Sequence, residues 1–232
     1  VRVTVFESGP VPGGRARRVK IEGRELDNGQ HILIGAYTEL LRLMRLVGVA
    51  DAALLRMPLR LRYADGFSFR SLGLPAPLGL LAGLLGCGRL PFAERLAAIR
   101  FMQALKKADF QVPSRLNVRD LLDQHHQSRS IGHYLWRPLC VSALNTPPEM
   151  ASAQVFANVL RDSLAGKSGA SDLLLPRVDL SRLFPEPACE FVRSHKGEIL
   201  LNETVRDTDA VLKQFSSVVL AVGPHRVAGR GP

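Results

Sequence analysis

Hydrophobic and polar residues alternate at the very start of the chain. Val1, Val3 and Val5 are separated by polar residues and followed by a phenylalanine, which predicts a half-buried β-strand over residues 1–6. The strand runs into an acidic residue, Glu7, and two adjacent glycines then break the pattern. The chain therefore opens on a strand and a glycine turn.

The middle of the chain changes to a helical period. Apolar residues recur every three or four positions from Thr38 to a glycine at position 48, which predicts a helix. Residues 59–69 alternate again around Asp65-Gly66, a pair typical of hairpin turns. Four further helices are predicted: over residues 93–110, from Val118, around Trp136, and over 147–164. Asn117 is the predicted N-cap of the second of these helices, and Thr146 is the predicted N-cap of the fourth.

The tail returns to mixed α/β character. Residues 185–195 have a helical period, and residues 198–201 are extended. The sequence SVVLAV at 217–222 is a continuous apolar run, which is typical of a strand buried in a parallel sheet. We expect the strands over 1–6 and 217–222 to lie in one parallel sheet.

This order of segments predicts an α/β fold with a helical insertion. Residues 1–36 and 182–232 are assigned to one Rossmann-type nucleotide-binding domain, which begins here at its second strand. Residues 37–181 are assigned to a mainly helical domain inserted between those two parts.

One segment of the predicted insertion, residues 71–88, carries no charge. Its two prolines and five glycines oppose a regular helix, and its apolar stretch is short for a membrane span. We interpret it as an apolar flap that faces a membrane or admits substrate, and a plain buried loop is the alternative. Arg89, Arg95 and Arg100 follow the segment and could meet lipid phosphates.

The charge of the chain restricts its partners. The formal net charge is +10 and the isoelectric point about 10.2, so an anionic partner must be considered. The arginines are scattered singly, without aromatic residues between them or a nucleic-acid-binding motif, and we predict no nucleic-acid partner. A membrane surface is the better electrostatic partner.

The cysteines and histidines do not indicate a metal site or a disulfide framework. Cys87, Cys140 and Cys189 are widely spaced and odd in number, which fits a reducing compartment. We therefore predict a cytoplasmic protein that contacts the inner face of the membrane peripherally. His125, His126 and His133 lack acidic partners at ligand spacing, and we interpret them as surface residues.

A candidate nucleotide-binding constellation follows the first strand. An acid at the end of the second strand of a Rossmann unit accepts the hydroxyl protons of the adenosine ribose, and Glu7 is in that position. Gly13 and Gly14 would let the backbone approach a diphosphate, and the Arg15 guanidinium would neutralise it. A solvated glutamate at a strand end is the alternative for Glu7 alone.

The spacing of an acid, five residues and Gly-Gly-Arg resembles the FAD-binding region of the amine oxidase and phytoene desaturase superfamily. Three longer segments narrow this resemblance to the squalene-associated FAD-dependent desaturases, better described as hydroxysqualene dehydroxylases. The segments are LDNGQHILIGAYTELLRLMRLVG, WRPLCVSALNTPPEMASAQVFANVLRDSL and SDLLLPRVDLSRLFPEPACEFV. The similarity covers nearly the whole chain in the family's order.

The resemblance implies FAD as the cofactor and adds three residues to the site. Gln30 and His31 would lie near the flavin, and the backbone of Val205 would contact adenine. His31 is the candidate proton donor to a leaving hydroxyl, because imidazole titrates near neutral pH. A structural histidine in a turn is the alternative.

The implied activity is FAD-dependent reductive dehydroxylation of hydroxysqualene to squalene in hopanoid biosynthesis, with an isoprenoid hydrocarbon as substrate. A carotenoid or phytoene desaturase is the alternative enzyme, and a non-catalytic truncated product is the alternative outside enzymes. The family's N-terminal GxGxxG unit and C-terminal part are absent from this sequence, so we expect an inactive fragment.

Overall fold

The computed structural model describes residues 1–29, 31–72, 74, 78–127 and 129–223. The chain forms two compact units. The first unit consists of Val1–Asn28 and Leu180–Pro232, and the second unit consists of Gly29–Asp179.

The elements of both units are short. The strands are β1 (Thr4–Glu7), β2 (Arg18–Ile21), β3 (Arg24–Asp27), β4 (Leu33–Ile34), β5 (Leu54–Met57), β6 (Arg60–Arg62), β7 (Ser68–Arg70), β8 (Leu173–Pro176) and β9 (Glu198–Leu201). The helices are α1 (Thr38–Leu46), α2 (Leu78–Leu85), α3 (Phe92–Lys107), α4 (Val118–Gln124), α5 (Arg137–Leu144), α6 (Ala153–Ser163), α7 (Leu180–Leu183), α8 (Pro185–Ser194) and α9 (Thr208–Gln214). Gly132–Trp136 forms a π-helical turn that runs into α5.

The first unit contains a parallel strand pair made from distant parts of the chain. Strand β1 pairs with β9 in a register that sets Thr4 opposite Glu198 and Glu7 opposite Leu201. The ring of Phe6 packs edge-on against that of Phe215, with centroids 6.0 Å apart. Strands β2 and β3 form an antiparallel hairpin with Gly23 at its turn. The predicted α/β character is confirmed.

The partner predicted for β1 is wrong. Residues 217–222 form no strand, and Val219 is 88% exposed. A run of apolar residues indicates that a segment can be buried, but a strand also needs a neighbour that accepts its backbone hydrogen bonds. In the described part of the first unit, β1 makes that ladder with β9 instead.

The second unit contains more strand than predicted. Strand β8 lies between β4 and β5 in an antiparallel sheet, and neither β5 nor β8 was expected from the sequence. Strands β6 and β7 form the hairpin predicted around Asp65-Gly66. Strand β8 reads Leu-Leu-Leu-Pro and lacks the polar alternation that would have indicated a strand.

Most of the buried apolar residues of the second unit belong to one cluster around Trp136. Its largest fully buried members are Trp136, Phe67, Phe69, Phe101 and Phe156. The indole N–H of Trp136 donates to Oε1 of Gln127 at 2.9 Å, and both side chains are fully buried. The amide of Gln127 also donates to the carbonyl oxygen of His125. This pair satisfies the polar atoms of the core.

Two expectations about helix starts have opposite outcomes. The side chain of Asn117 accepts from the backbone N–H of Asp120 at 2.8 Å, which confirms it as the N-cap of α4. Thr146 is not an N-cap, because its hydroxyl donates to the carbonyl oxygen of Leu144. Helix α6 begins at Ala153 instead, with Ser152 as its N-cap.

The uncharged segment contains a regular helix, contrary to the prediction. Helix α2 packs on β7 through Gly83, where a methyl group would lie 2.7 Å from the carbonyl oxygen of Arg70. A methyl group at Gly79 would lie 2.8 Å from the carbonyl oxygen of Leu74, after the strand. The glycines therefore allow close packing of the helix rather than prevent the helix. Of the segment before α2, residues 73 and 75–77 lie outside the described part.

Among the residues that the structure describes, every helix is too short or too polar to span a bilayer.

The buried pair of Gln127 and Trp136 leads to a stability prediction. Replacing Gln127 by Leu leaves the indole N–H without a partner, and we expect the free energy of unfolding to fall by about 1–3 kcal/mol. Urea unfolding followed by tryptophan fluorescence measures the change. Gln103→Leu, on the exposed face of α3, is the control and should change the midpoint little. Equal midpoints for the two variants would contradict a stabilising hydrogen bond between Gln127 and Trp136.

Candidate cofactor-binding site

The two parallel strands of the first unit, β1 and β9, end at the same edge of their sheet. The chain that leaves β9 then follows the chain that leaves β1. The backbone N–H of Asn202 donates to the carbonyl oxygen of Gly9 at 3.0 Å, and that of Glu203 donates to the carbonyl oxygen of Glu7 at 2.9 Å. Ligands of open α/β sheets bind at the carboxyl ends of parallel strands, so this edge is the candidate site.

Glu7 is the last residue of β1 and its carboxylate is held in place. Oε1 accepts the backbone N–H of Gly9 at 2.7 Å, and the side chain is half-buried. The structure records no hydrogen bond to Oε2 from the described residues. One oxygen of Glu7 therefore fixes the loop, and the other can accept a hydroxyl proton from a ligand.

The glycine pair that follows has two different roles. Gly13 has φ +110°, and a methyl group there would lie 2.8 Å from Cγ of Pro185 and 2.9 Å from the carbonyl oxygen of Ala16. Gly14 has φ +56°, and a methyl group there would meet nothing within 4 Å. Gly13 is thus required for packing against the start of α8, whereas Gly14 leaves an open backbone surface.

The three arginines after the glycines have different surroundings. The side chain of Arg15 is exposed, and its backbone carbonyl accepts from the side-chain amide of Asn28. Arg18 is ion-paired, with Nη2 at 3.1 Å from Glu186 and Nε at 3.7 Å from Glu25. Arg18 therefore stabilises the fold, and Arg15 is free to reach a ligand.

Arg17 differs from both neighbours. A methyl group at Gly9 would lie 3.2 Å from Oε1 of Glu7 and 3.5 Å from Nη1 of Arg17, so both charged groups approach the same point of the loop. Nε of Arg17 is buried, and no atom of the described residues forms a hydrogen bond with it. A buried donor without a partner fits the bound anion that a dinucleotide would supply here.

Val205 lies beyond β9, two residues after the contact between Glu203 and Glu7. Its side chain is exposed and the chain around it is neither helix nor strand. The structure thus brings the loops that carry Glu7 and Val205 to one edge of the sheet. The role of the Val205 backbone in binding adenine stays a prediction.

Of the two residues expected near the flavin, Gln30 lies outside the described residues and His31 belongs to the second unit. Nδ1 of His31 lies 3.3 Å from the carbonyl oxygen of Gly29, a hydrogen bond that forms when Nδ1 carries the proton and donates it to that oxygen. The assignment of His31 as a proton donor also stays a prediction.

Other titratable groups of the second unit serve the fold. The hydroxyl of Tyr134 donates to the carboxylate of Asp65, which raises the pKa of Tyr134 and lowers the pKa of Asp65. The contact joins the tip of the β6–β7 hairpin to the π-helical turn. Burial raises the pKa of the Cys87 and Cys140 thiols to about 11, so neither is a nucleophile at neutral pH.

The profile of the flavin containing amine oxidoreductases matches residues 1–223, which is nearly the whole chain. The chain belongs to this family. It is also 25% identical, over 219 residues, to the hydroxysqualene dehydroxylase of Zymomonas mobilis subsp. mobilis. That match covers 88% of this chain and 49% of the relative, so the chain spans about half the length of the curated protein it matches.

A solved structure supports the family fold. The wild-type putrescine oxidase bound to putrescine superposes with a TM-score of 0.51 at 14% sequence identity, over 85% of this chain and 44% of that one. This likeness concerns the fold alone. The family profile confirms the predicted family of FAD-dependent oxidoreductases and FAD as the cofactor.

Sequence reasoning missed Arg17. The Gly-Gly-Arg pattern directs attention to the first arginine, and nothing in the sequence distinguishes Arg17 from its neighbours. The distinction arises in the fold, where Arg18 finds two carboxylates and Arg17 finds none among the described residues.

The difference between the two glycines is testable by substitution. We expect Gly14→Ala to lower the free energy of unfolding of the first unit by about 1 kcal/mol, the cost of a left-handed backbone at a residue with a side chain. Gly13→Ala should cost about 2–4 kcal/mol, because the methyl group also overlaps Pro185 and Ala16. Hydrogen exchange of the β1 and β9 amides measures the loss of stability in each variant. Equal losses would contradict the packing role of Gly13.

Proposed function

We propose that this chain is part of an FAD-dependent oxidoreductase that acts on a long isoprenoid. The reaction we assign is the reductive dehydroxylation of hydroxysqualene to squalene in hopanoid biosynthesis. The observation that carries this proposal is the match to the Zymomonas mobilis hydroxysqualene dehydroxylase, which extends over 88% of the chain. The geometry of the first unit supports the cofactor half of the proposal.

The reaction requires a hydride, a proton and a site without water. The hydroxyl group leaves the substrate carbon as water after protonation, and a hydride takes its place. Bound FAD in its reduced form supplies that hydride and is oxidised. The protein must hold the cofactor, deliver the proton and exclude solvent from the reacting carbon.

We assign cofactor binding to residues 1–36 and 182–232. The free oxygen of Glu7 would accept the ribose hydroxyls, and the loop of Gly13, Gly14 and Arg15 would hold the diphosphate. Residues 37–181 would then bind the isoprenoid. We assign the proton transfer to His31, since an imidazole can protonate a leaving hydroxyl near neutral pH.

The reaction can be tested in a hybrid protein. In the hybrid, this chain replaces the matching half of the Zymomonas mobilis enzyme, which supplies the remaining length. With reduced FAD and hydroxysqualene we expect squalene as the product, detected by gas chromatography. Desaturation of phytoene by the same hybrid with oxidised FAD, without squalene formation, would overturn the proposal in favour of a carotenoid-type enzyme.

The role of Glu7 in binding ribose is tested on the same hybrid. Glu7→Gln keeps an acceptor for the Gly9 N–H but removes the charge, and we expect the dissociation constant for FAD to rise about 10- to 100-fold. Riboflavin, which lacks the adenosine, should bind equally to both proteins. Flavin fluorescence titration gives both constants. Glu22→Gln, at the exposed turn between β2 and β3, is the matched control.

We also propose that the second unit contacts an anionic membrane surface. Leu78 and Leu85 lie seven residues apart on one face of α2 and are 57% and 47% exposed, and Phe92 at the start of α3 is 64% exposed. Arg89 and Arg100, whose side chains are exposed, follow α2 in the sequence and would supply positive charge. A substrate that is insoluble in water favours uptake from a bilayer.

Arg95 does not serve the membrane role expected for it. Its Nη1 donates to the carbonyl oxygen of Leu85 at 2.5 Å and its Nε to that of Leu90 at 3.0 Å. The guanidinium therefore caps the carboxyl end of α2 and fixes the helix next to α3.

The exposed apolar residues lead to a sedimentation prediction. Replacing Leu78, Leu85 and Phe92 together by Ser should reduce binding to phosphatidylglycerol vesicles at least about tenfold, because about 100 Å² or more of apolar surface is lost. The fold should be kept, since all three side chains are exposed.

Two controls accompany this measurement. The triple change of Leu46, Val141 and Val155 to Ser removes equally exposed apolar residues elsewhere in the second unit and should leave sedimentation unchanged. Leu84→Ser should instead destabilise the unit by about 2–5 kcal/mol, because Leu84 is fully buried. Equal loss of sedimentation in both triple variants would contradict a specific docking face.

A further inference from the structure

Arg17 is held in a defined position by the first unit. Its backbone carbonyl accepts the N–H of Asn28 at 2.9 Å, and a methyl group at Gly13 would lie 3.2 Å from its Cβ. The stem of the side chain thus runs beside Gly13, and Nη1 reaches the loop at Gly9. The guanidinium is therefore directed to the same edge of the sheet as Glu7.

One nitrogen of this guanidinium is buried without a partner. No atom of the described residues forms a hydrogen bond with Nε. The Glu7 carboxylate approaches the same point beside Gly9, but its Oε1 accepts the Gly9 N–H and the two side chains form no ion pair. Burial of a donor without a partner costs free energy, so a fold keeps one where a ligand completes it.

The chemistry of the position indicates which ligand does so. A guanidinium offers parallel N–H donors whose spacing matches two oxygens of a phosphate. The adjacent loop has no side chain at Gly14 and a carboxylate at Glu7 suited to ribose hydroxyls. A group that carries both ribose and phosphate satisfies Arg17 and Glu7 together.

We infer that Arg17 is a diphosphate-binding residue of the dinucleotide site. Arg15 adds charge from the exposed side of the loop, whereas Arg17 binds from its half-buried side. This inference rests on the proposed function, since it assigns the phosphate-binding residue of the same cofactor site. It assigns Arg17 and Arg18, adjacent in sequence, to opposite tasks: Arg18 stabilises the fold through Glu25 and Glu186, and Arg17 binds ligand.

The two tasks have opposite effects on the ligand-free protein. In the 232-residue chain without ligand, Arg17→Met removes a buried N–H donor that has no partner among the described residues, and we expect the urea midpoint to stay equal or rise. Arg18→Met breaks two ion pairs and should lower the midpoint. A lower midpoint for Arg17→Met would show a structural arginine and overturn the inference.

Ligand binding supplies the second measurement. Titration calorimetry of the same chain compares ADP, which carries a diphosphate, with adenosine, which carries none. Arg17→Met should weaken the binding of ADP about 10- to 100-fold and leave the binding of adenosine unchanged. Arg17→Lys should recover part of the lost ADP affinity, because it restores the charge. Lys20→Met, an equal loss of charge on exposed strand β2, is the matched control and should leave ADP binding as it was.

The outcomes separate this inference from the proposed function. If the wild-type chain binds ADP and FAD, and the Arg17→Met chain binds them equally tightly, the role of Arg17 alone would be overturned. Equal weakening of ADP and adenosine would also overturn it, since the effect would then not depend on the phosphates. A wild-type chain that binds neither FAD nor ADP would overturn the proposed cofactor site and, with it, the role of Arg17.

Discussion

The cofactor site depends on one short parallel ladder. Thr4–Glu7 pairs with Glu198–Leu201, and the two strands come from opposite ends of the chain. Because parallel strands end at the same edge, the loops after β1 and β9 are forced together. Their backbone contacts at Gly9 and Glu7 follow from this register, and a shift by one residue would turn the Glu7 side chain to the other face. The positions of Glu7 and of the loop that carries Val205 therefore follow from four residue pairs.

Local patterns predicted the elements of this unit better than their pairing. Alternation predicted β1, and residues 198–201 were predicted as extended. The partner of β1 was wrong because hydrophobicity favoured the SVVLAV run, which forms no strand. Backbone pairing over long distances in sequence depends on tertiary context that a single sequence does not display.

The candidate site shows the same limit at the level of side chains. The strand-end position of Glu7 and the special backbone of Gly13 and Gly14 have local signatures, so the sequence predicted them as candidates. Arg17 has no local signature. It differs from Arg18 because Arg18 forms ion pairs with Glu25 and Glu186, whereas the buried Nε of Arg17 has no hydrogen-bond partner among the described residues. Likewise, Thr146 and Ser152 are equally good N-caps by composition, and only the fold decides which hydroxyl faces a free N–H.

The long separation of β1 and β9 also sets the order in which the protein assembles. Residues 8–197 lie between the two strands, and the second unit is contained within that stretch with its own apolar core. A nascent chain can complete the contacts of Gly29–Asp179 while Thr4–Glu7 still lacks the strand it pairs with. The ladder closes only after Glu198–Leu201 has been synthesised, so the edge that holds Glu7 forms late. During translation, the side of β1 that pairs with β9 thus stays open until that distant strand arrives, and it must be kept from joining other chains.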